Sequence, residues 1–334
     1  MKQKGSKALI TFTKNGPYCS IGDFYIDPYR GVKNALITHA HADHARWGMQ
    51  NYLSHVDNEG IMRHRISKDI QFQGVNYKEK IQINGVEIAF YPSGHIPGAS
   101  MILLTHKGEK WCFSGDYKTE NDGLSTPIEV PICDHFITEC TFGLPIFNWA
   151  PQTDVFESIK QFIKLQFEAQ KSVLITAYSL GKAQRLLYNL KAFKEQTVVH
   201  PSINNLNTLI KSRGYDIADN YAEKRTGKHP VLVILPPSAS QGTWTKQFTP
   251  FELTNVSGWM AIRGNKRRQN IAQGFILSDH ADFKGLVKTV EATQASHIYT
   301  THGYTEVFAK YLREEKGLEA TDLHVASNYD QAED

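Results

Sequence analysis

Residues 38–44 read Thr38-His39-Ala40-His41-Ala42-Asp43-His44, directly after the apolar run Ala35-Leu36-Ile37. The run reads as a short buried strand, so its end delivers four metal-ligand side chains within six residues. In the spacing His-x-His-x-Asp-His, two imidazoles serve one cation, and the carboxylate and third imidazole serve a neighbouring one. Nitrogen and oxygen donors of this kind suit zinc, and a catalytic site keeps one coordination position open. Packing alone gives no reason to mass imidazoles beside a carboxylate.

A site for two metals needs about six to eight protein donors, so the stretch predicts further ligands downstream. Ile88-Ala89-Phe90-Tyr91 leads into Pro92-Ser93-Gly94-His95, and Lys110-Trp111-Cys112-Phe113 into Ser114-Gly115-Asp116. His297-Ile298-Tyr299-Thr300-Thr301 leads into His302-Gly303. Each pairs a strand-like segment with a small residue and a ligand, and the small residue lets the backbone turn the ligand over the strand end.

The blocks HAHADH, SGH, SGD and THG, in that order, resemble the metallo-β-lactamase superfamily. The resemblance implies an αββα sandwich with the metals at one rim. It places His39, His41 and His95 on one metal, Asp43, His44 and His302 on the other, and Asp116 between the two. Asp27, in Tyr25-Ile26-Asp27-Pro28, matches an acidic residue that orients ligands from behind; on local sequence alone it also reads as the capping carboxylate of an Asp-Pro turn.

Two further stretches narrow the resemblance to the nucleic-acid-processing β-CASP branch. Phe136-Ile137-Thr138-Glu139-Cys140-Thr141-Phe142-Gly143 is similar to its acidic motif, and Leu277-Ser278-Asp279-His280-Ala281-Asp282 to its extra histidine motif. By resemblance Glu139 orients His280, and His280 serves the leaving oxygen or the phosphate charge, with Asp43 and Asp116 completing the catalytic group. Ala177-Tyr178-Ser179-Leu180-Gly181-Lys182-Ala183-Gln184-Arg185 is similar to the segment that opens a helix in the branch's inserted domain. Ala183, Leu186, Leu187 and Leu190 follow i, i+3, i+4, i+7, which predicts one buried face. Ser179, Gly181, Lys182 and Arg185 are then expected to meet phosphate at the helix start. The run Arg263-Gly264-Asn265-Lys266-Arg267-Arg268 adds Lys266, Arg267 and Arg268 as backbone contacts. A plain solvated basic face is the alternative reading of both segments.

Blocks from Cys19 to Ala45, Thr138 to Leu144, Gly181 to Leu187, the Pro236-Pro237-Ser238-Ala239 turn, Ser257-Gly258-Trp259-Met260 and Gly274 to Asp282 look like the bacterial ligase-associated DNA exonucleases. That resemblance implies a DNA nuclease acting on single strands from a 5′ end. It also implies repair work beside an ATP-dependent DNA ligase and a helicase. Two divalent ions are expected, Zn²⁺ by ligand type with Mn²⁺ as the other activating ion. The position of His302 is typically valine in DNA-specific animal relatives and histidine in RNA-processing ones, so an RNA-processing nuclease of the mRNA 3′-end type is the alternative. A small-molecule metallo-hydrolase and an inactive nucleic-acid scaffold rank lower, since the Glu139 and His280 motifs argue against the first and the full ligand set against the second.

The fold class expected is therefore mixed α/β: a sandwich from residues 1–150 and 265–334, with a compact β-CASP-like α/β lobe inserted at 151–264. A helix is expected from Thr153 or Asp154, with Val155, Phe156, Ile159, Phe162 and Ile163 on one face, and buried strands at Ser172–Tyr178 and Val231–Leu235. Among 334 residues the net charge is +3, too mild to indicate a nucleic-acid partner by itself. Cys19, Cys112, Cys133 and Cys140 show no CxxC spacing and read as reduced thiols. No stretch has the apolar length of a membrane span, and Met1–Lys7 lacks the apolar core of a signal peptide, so a cytoplasmic protein is expected.

Overall fold

The computed structural model describes residues 8–218, 221–262 and 273–323. The first sheet is built in chain order from β1 (Ile10–Thr13), β2 (Gly16–Cys19), β3 (Phe24–Ile26), β4 (Asn34–Leu36), β5 (Asn51–His55) and β6 (Gln71–Val75). It starts as an antiparallel meander and continues parallel from β3 to β6. The second sheet begins with β7 (Lys80–Ile83), β8 (Val86–Pro92), β9 (Ser100–His106), β10 (Glu109–Phe113) and β11 (His135–Cys140).

Period-2 alternation tells each strand of the second sheet which layer it faces. Val86, Ile88 and Phe90 of β8, Ile102 and Leu104 of β9, Trp111 and Phe113 of β10 and Ile137 of β11 share one apolar cluster with Phe24, Ile26, Leu36, Leu53 and Val75 of the first sheet. Their neighbours Met101, Cys112 and Phe136 point to the other side, into a cluster with two later helices. Sheet therefore packs on sheet, with helices covering the outer face of the second. Helix α1 (Asn58–Arg65) sits on the outer face of the first, where Ile61 and Met62 join Ala35, Ile37 and Tyr52.

After β11 the chain leaves the sandwich. Helix α2 (Gln152–Glu168) starts one residue before the earlier of the two expected starts, because Pro151 stands at its N-cap. Phe156, Ile159, Phe162 and Ile163 form its buried face, with Val155 packed at the edge. A fully parallel third sheet follows, in the order β13 (Thr197–Val199), β14 (Leu232–Leu235), β12 (Ser172–Thr176), β15 (Phe251–Val256) and β16 (Gln273–Phe275). Helices α3 (Lys182–Asn189) and α4 (Pro201–Lys211) connect its strands. The sheet extends beyond the return expected near residue 265, since Gln273 to Phe275 pair with Thr254 to Val256. Phe275 also packs edge-on against Phe162 of α2 at 5.7 Å. A three-residue strand behind a basic run carries too little periodic signal to be read from sequence.

Helix α3 departs from the expected amphipathic pattern. Lys182, Gln184 and Arg185 are buried along with Ala183, Leu186 and Leu187, because the helix is wedged between the third sheet and the sandwich. The chain then rejoins the second sheet through α5 (Phe283–Thr293), β17 (His297–Gly303), α6 (Thr305–Lys316) and β18 (Glu319–Asp322), with β17 parallel to β11. No described helix is long and apolar enough to cross a membrane. All four cysteines are buried free thiols.

Candidate metal centre and cleft

The ligand candidates sit where strands stop. Beyond β4, His39, His41, Asp43 and His44 fall on a turn closed by the His44 and Ala45 amides donating to the His41 carbonyl at 3.2 and 2.8 Å. His95 follows β8, Asp116 follows β10 and His302 ends β17. Gly115 has φ +53°, and a Cβ there would lie 2.6 Å from the Thr38 side chain. Only glycine lets the β10 end approach the β4 end this closely. His302 and Asp27 hold φ +53° and +39°, a region that costs a non-glycine residue energy and is retained where the surroundings enforce it.

Hydrogen bonds decide which nitrogen of each imidazole carries its proton. The Asp279 carbonyl accepts from His95 Nδ1 at 2.9 Å, and the Leu180 carbonyl accepts from His41 Nε2 at 3.1 Å. The Thr38 hydroxyl donates to Asp27 Oδ2 at 2.6 Å, so its oxygen accepts from His39 Nδ1 at 3.0 Å. Asp27 Oδ2 also accepts from His44 Nδ1 at 2.7 Å. The lone pairs of His39 Nε2, His41 Nδ1 and His95 Nε2 then face one another at 3.1 and 3.2 Å with no proton between them. Such a contact is repulsive without a cation, and each partner behind a ring is the support a metal-bound histidine needs.

Asp116 Oδ2 lies 3.5 Å from His39 Nε2 and 3.7 Å from His95 Nε2. The same oxygen lies 3.5 Å from His44 Nε2, which is 3.5 Å from Asp43 Oδ2. Donor atoms of His39, His41, His95 and Asp116 all fall within 4.8 Å of one another. The His302 ring stacks at 5.6 Å on that of His44. His44 Nε2 and Asp43 Oδ1 are buried with no hydrogen-bond partner. Unpartnered buried lone pairs of this type are what a divalent cation satisfies, so the residues fit a metal on both sides of Asp116.

Electrostatics agrees with that fit. Burial and the nearby His44 keep His39 well below the ordinary imidazole range, and burial with His280 close by pushes His95 down to about 4. Both are neutral ligands at pH 7. Burial opposes charge on His44 and on Asp116 alike, yet carboxylates led by Asp116 hold His44 well above its usual value, so without a metal this ring takes a second proton, and a cation at Nε2 would take that proton's place. In turn His44 and His280 hold Asp116 well below its own.

Glu139, near the end of β11, is 1% exposed and accepts four hydrogen bonds. Its carboxylate takes the Tyr117 and Thr141 amides at 3.1 and 3.2 Å, the Thr141 hydroxyl at 2.6 Å and His280 Nδ1 at 2.9 Å. His280 is thereby oriented with its ring 4.9 Å from that of His95. A cleft opens above, lined by Asp43, Asp116, His280 and His302 together with Thr141, Phe142, Tyr178, Lys182, Ser257, Trp259 and Ser278.

The phosphate contacts expected around α3 divide. Lys182 lines the cleft, with Nζ 3.5 Å from Asp279 Oδ2 and 4.7 Å from the centre of the Tyr178 ring. Arg185 does not reach it. Its guanidinium donates to the Ser278 carbonyl at 2.6 Å, to Asp279 Oδ1 at 3.1 Å and to Gln152 Oε1 at 2.7 and 3.1 Å, and the residue is 1% exposed. Four of its five N–H groups are spent inside the protein, so Arg185 braces α3 against the His280 segment. Gly181 is packed on Ile96 and its amide donates to Gln184 Oε1, so it is no open anion site; Ser179 gives its carbonyl to Gln184. Lys266, Arg267 and Arg268 lie outside the described residues. The residue that sequence reasoning left without a role is Asp279, although it stood inside a quoted motif. Its carbonyl orients His95 while its carboxylate, held ionised against burial by Lys182 and Arg185, ties helix α3 to the candidate ligand cluster.

Comparison with known proteins adds relatives to this geometry. No family model matches the chain. A probable DNA ligase from Opitutus terrae is 27% identical over 309 residues, which is 92% of this chain and 30% of that protein. The endoribonuclease ysh1 of Emericella nidulans is 32% identical over 135 residues, 40% of this chain and 15% of its own. Cleavage and polyadenylation specificity factor 73 of Drosophila melanogaster is 29% identical over 169 residues, 48% of this chain and 24% of its own. These relatives support the metallo-β-lactamase/β-CASP nuclease family. The chain spans less than a third of the length of each of these curated relatives. A crystal structure of a protein of unknown function from Enterococcus faecalis shares the fold, with TM-score 0.55 and 14% identity over 87% of this chain and 80% of that one.

Proposed function

We propose that the chain is a metal-dependent nuclease that hydrolyses phosphodiester bonds of single-stranded DNA from a 5′ end, with an αββα metallo-β-lactamase sandwich and a β-CASP-like lobe as its two parts. The observation that carries the reading is the convergence of unprotonated imidazole nitrogens on Asp116 beside the Glu139–His280 pair, at the floor of one cleft. His39, His41, His95 and Asp116 would hold one divalent ion, and Asp43, His44, His302 and Asp116 a second. Zn²⁺ matches the nitrogen and oxygen donors, with Mn²⁺ as the alternative activating ion. Bound there, such ions supply Lewis acidity toward phosphate oxygens and a nucleophilic water at neutral pH.

The chain's own groups do the rest. Glu139 accepts from His280 Nδ1, so Nε2 is the atom left to serve the leaving oxygen: the carboxylate supports the imidazolium form, whose Nε2–H is the proton that would pass to the leaving oxygen or whose charge would face the phosphate. Asp27, the Thr38 hydroxyl and the Asp279 and Leu180 carbonyls keep the ligand imidazoles in one tautomer each. Lys182 offers the cleft a cation for a non-bridging phosphate oxygen, and Lys266, Arg267 and Arg268 are proposed to track the strand beyond it.

Likeness to the probable DNA ligase along 92% of the chain favours DNA, and its position as 30% of that longer protein favours work beside a ligase. RNA is the second reading, favoured by His302 and by the likeness to the endoribonucleases over 36–40% of the chain. The test is hydrolysis of matched single-stranded DNA and RNA, labelled at either end, with Zn²⁺ or Mn²⁺. DNA cut faster and from the 5′ end is the expected result. Faster cutting of RNA would establish the second reading, and no cutting of either would overturn both.

A further inference from the structure

The block Ser257-Gly258-Trp259-Met260 has no part in the chemistry above, yet it forms a wall of the same cleft. Trp259 lies on a short 3₁₀ turn, Gly258–Ala261, whose entry is capped by the Ser257 side chain accepting from the Trp259 amide at 3.2 Å. Met260 is buried beneath the turn. The indole is half-buried and backed by aromatic rings: Phe142 at 4.9 Å, Phe147 at 5.8 Å in edge-on contact, and Tyr304 at 6.5 Å. A Cβ on residue 258 would lie 2.5 Å from the Phe142 ring, so glycine is what lets the turn settle onto this aromatic backing. Phe142 in turn follows Glu139 by three residues, and its ring is 6.0 Å from that of His280.

We propose that Trp259 is the stacking platform for a nucleobase adjacent to the scissile phosphate. The inference rests on the nuclease reading and adds the base-binding subsite to it. A phosphate seated over Asp43, Asp116 and His302, with Lys182 beside it, leaves its flanking nucleoside against the remaining wall of the cleft, and that wall carries the indole. An indole braced on three rings loses little freedom when a base lies on it. Stacking reads the π-face that all bases share and requires that base to be unpaired from a complementary strand. The subsite therefore selects single strands and tolerates every base.

The test uses a single-stranded oligodeoxynucleotide and two versions of it, each with a tetrahydrofuran abasic residue on one side of the terminal phosphodiester. Trp259→Ala is expected to raise KM on the intact strand roughly 5- to 150-fold, the range for loss of one base–aromatic stack, with kcat changed by less than about threefold. On one of the two abasic strands the same substitution should change KM by less than about twofold, because the base it would stack is already missing. Trp259→Phe should recover much of the loss, and it keeps the aromatic backing filled if the alanine variant unfolds. Equal losses on the intact and both abasic strands, or no loss in either variant, would overturn the subsite while leaving the nuclease reading standing. A wild-type protein that cuts none of the strands would overturn both.

Discussion

Asp27→Asn changes no volume, yet it should unmake the metal centre from behind. The carboxylate is buried and accepts three hydrogen bonds: the Thr38 amide on Oδ1 at 2.8 Å, and the Thr38 hydroxyl and His44 Nδ1 on Oδ2 at 2.6 and 2.7 Å. Asparagine tolerates the φ of +39° at this position, so the backbone has no reason to move. If the amide oxygen stays on the Thr38 N–H, the NH₂ group replaces Oδ2 and faces His44 Nδ1 as a donor. His44 must then carry its proton on Nε2, the atom that lies 3.5 Å from both Asp116 and Asp43. The Thr38 hydroxyl, no longer donating to a carboxylate, is released to donate to His39 Nδ1, which moves a second proton onto a ligand atom. One substitution thus reverses two ligand imidazoles.

The alternative rotamer leaves the buried Thr38 amide facing a donor, at about 1–3 kcal/mol for the unsatisfied group. Loss of such an orienting partner costs about 10- to 100-fold in metal affinity, or roughly 1.4–2.7 kcal/mol. Competition for Zn²⁺ against a chromophoric chelator reads that loss directly, with thermal unfolding of the metal-free proteins as the control for folding. A variant that binds Zn²⁺ within about threefold of the wild type would refute the tautomer argument.

His280→Ala should keep its metal and lose about 10²- to 10⁴-fold in kcat, the range for removing a general acid or base; parallel loss of metal by elemental analysis would make His280 a ligand instead. Wild-type protein dialysed against Zn²⁺ should carry two ions per chain and Asp116→Ala fewer, since Asp116 faces both donor sets; an unchanged ratio would sink the shared-ligand arrangement. Asp279→Ala leaves Lys182 and Arg185 buried without their counter-charge, at about 3–5 kcal/mol of stability in urea unfolding. A loss below about 1 kcal/mol would mean the buried cations find other partners.

Much of this site was legible as ligand type and order. Imidazole and carboxylate chemistry is local to a side chain, and a strand, a small residue and a ligand recur at His39, His95, Asp116 and His302 because each strand must stop at the same rim. The strand-like runs before His95, Asp116 and His302 were legible for the same reason, whereas the layer that each strand's alternate residues face emerged only from the packing of the two sheets. What the chain order could not reveal was the state of those groups. Which nitrogen of His39, His41, His44 or His95 bears a proton depends on Thr38, Leu180, Asp27 and Asp279, and three of those four partners come from distant parts of the chain. The same distance hid the fate of Arg185. Beside Lys182 on one helix it reads as a phosphate contact, and only the docking of α3 against Ser278, Asp279 and Gln152 turns its guanidinium inward. Trp259 likewise gains its meaning from Phe142, more than a hundred residues earlier, because an indole becomes a platform only where packed rings hold it still at the edge of a cleft.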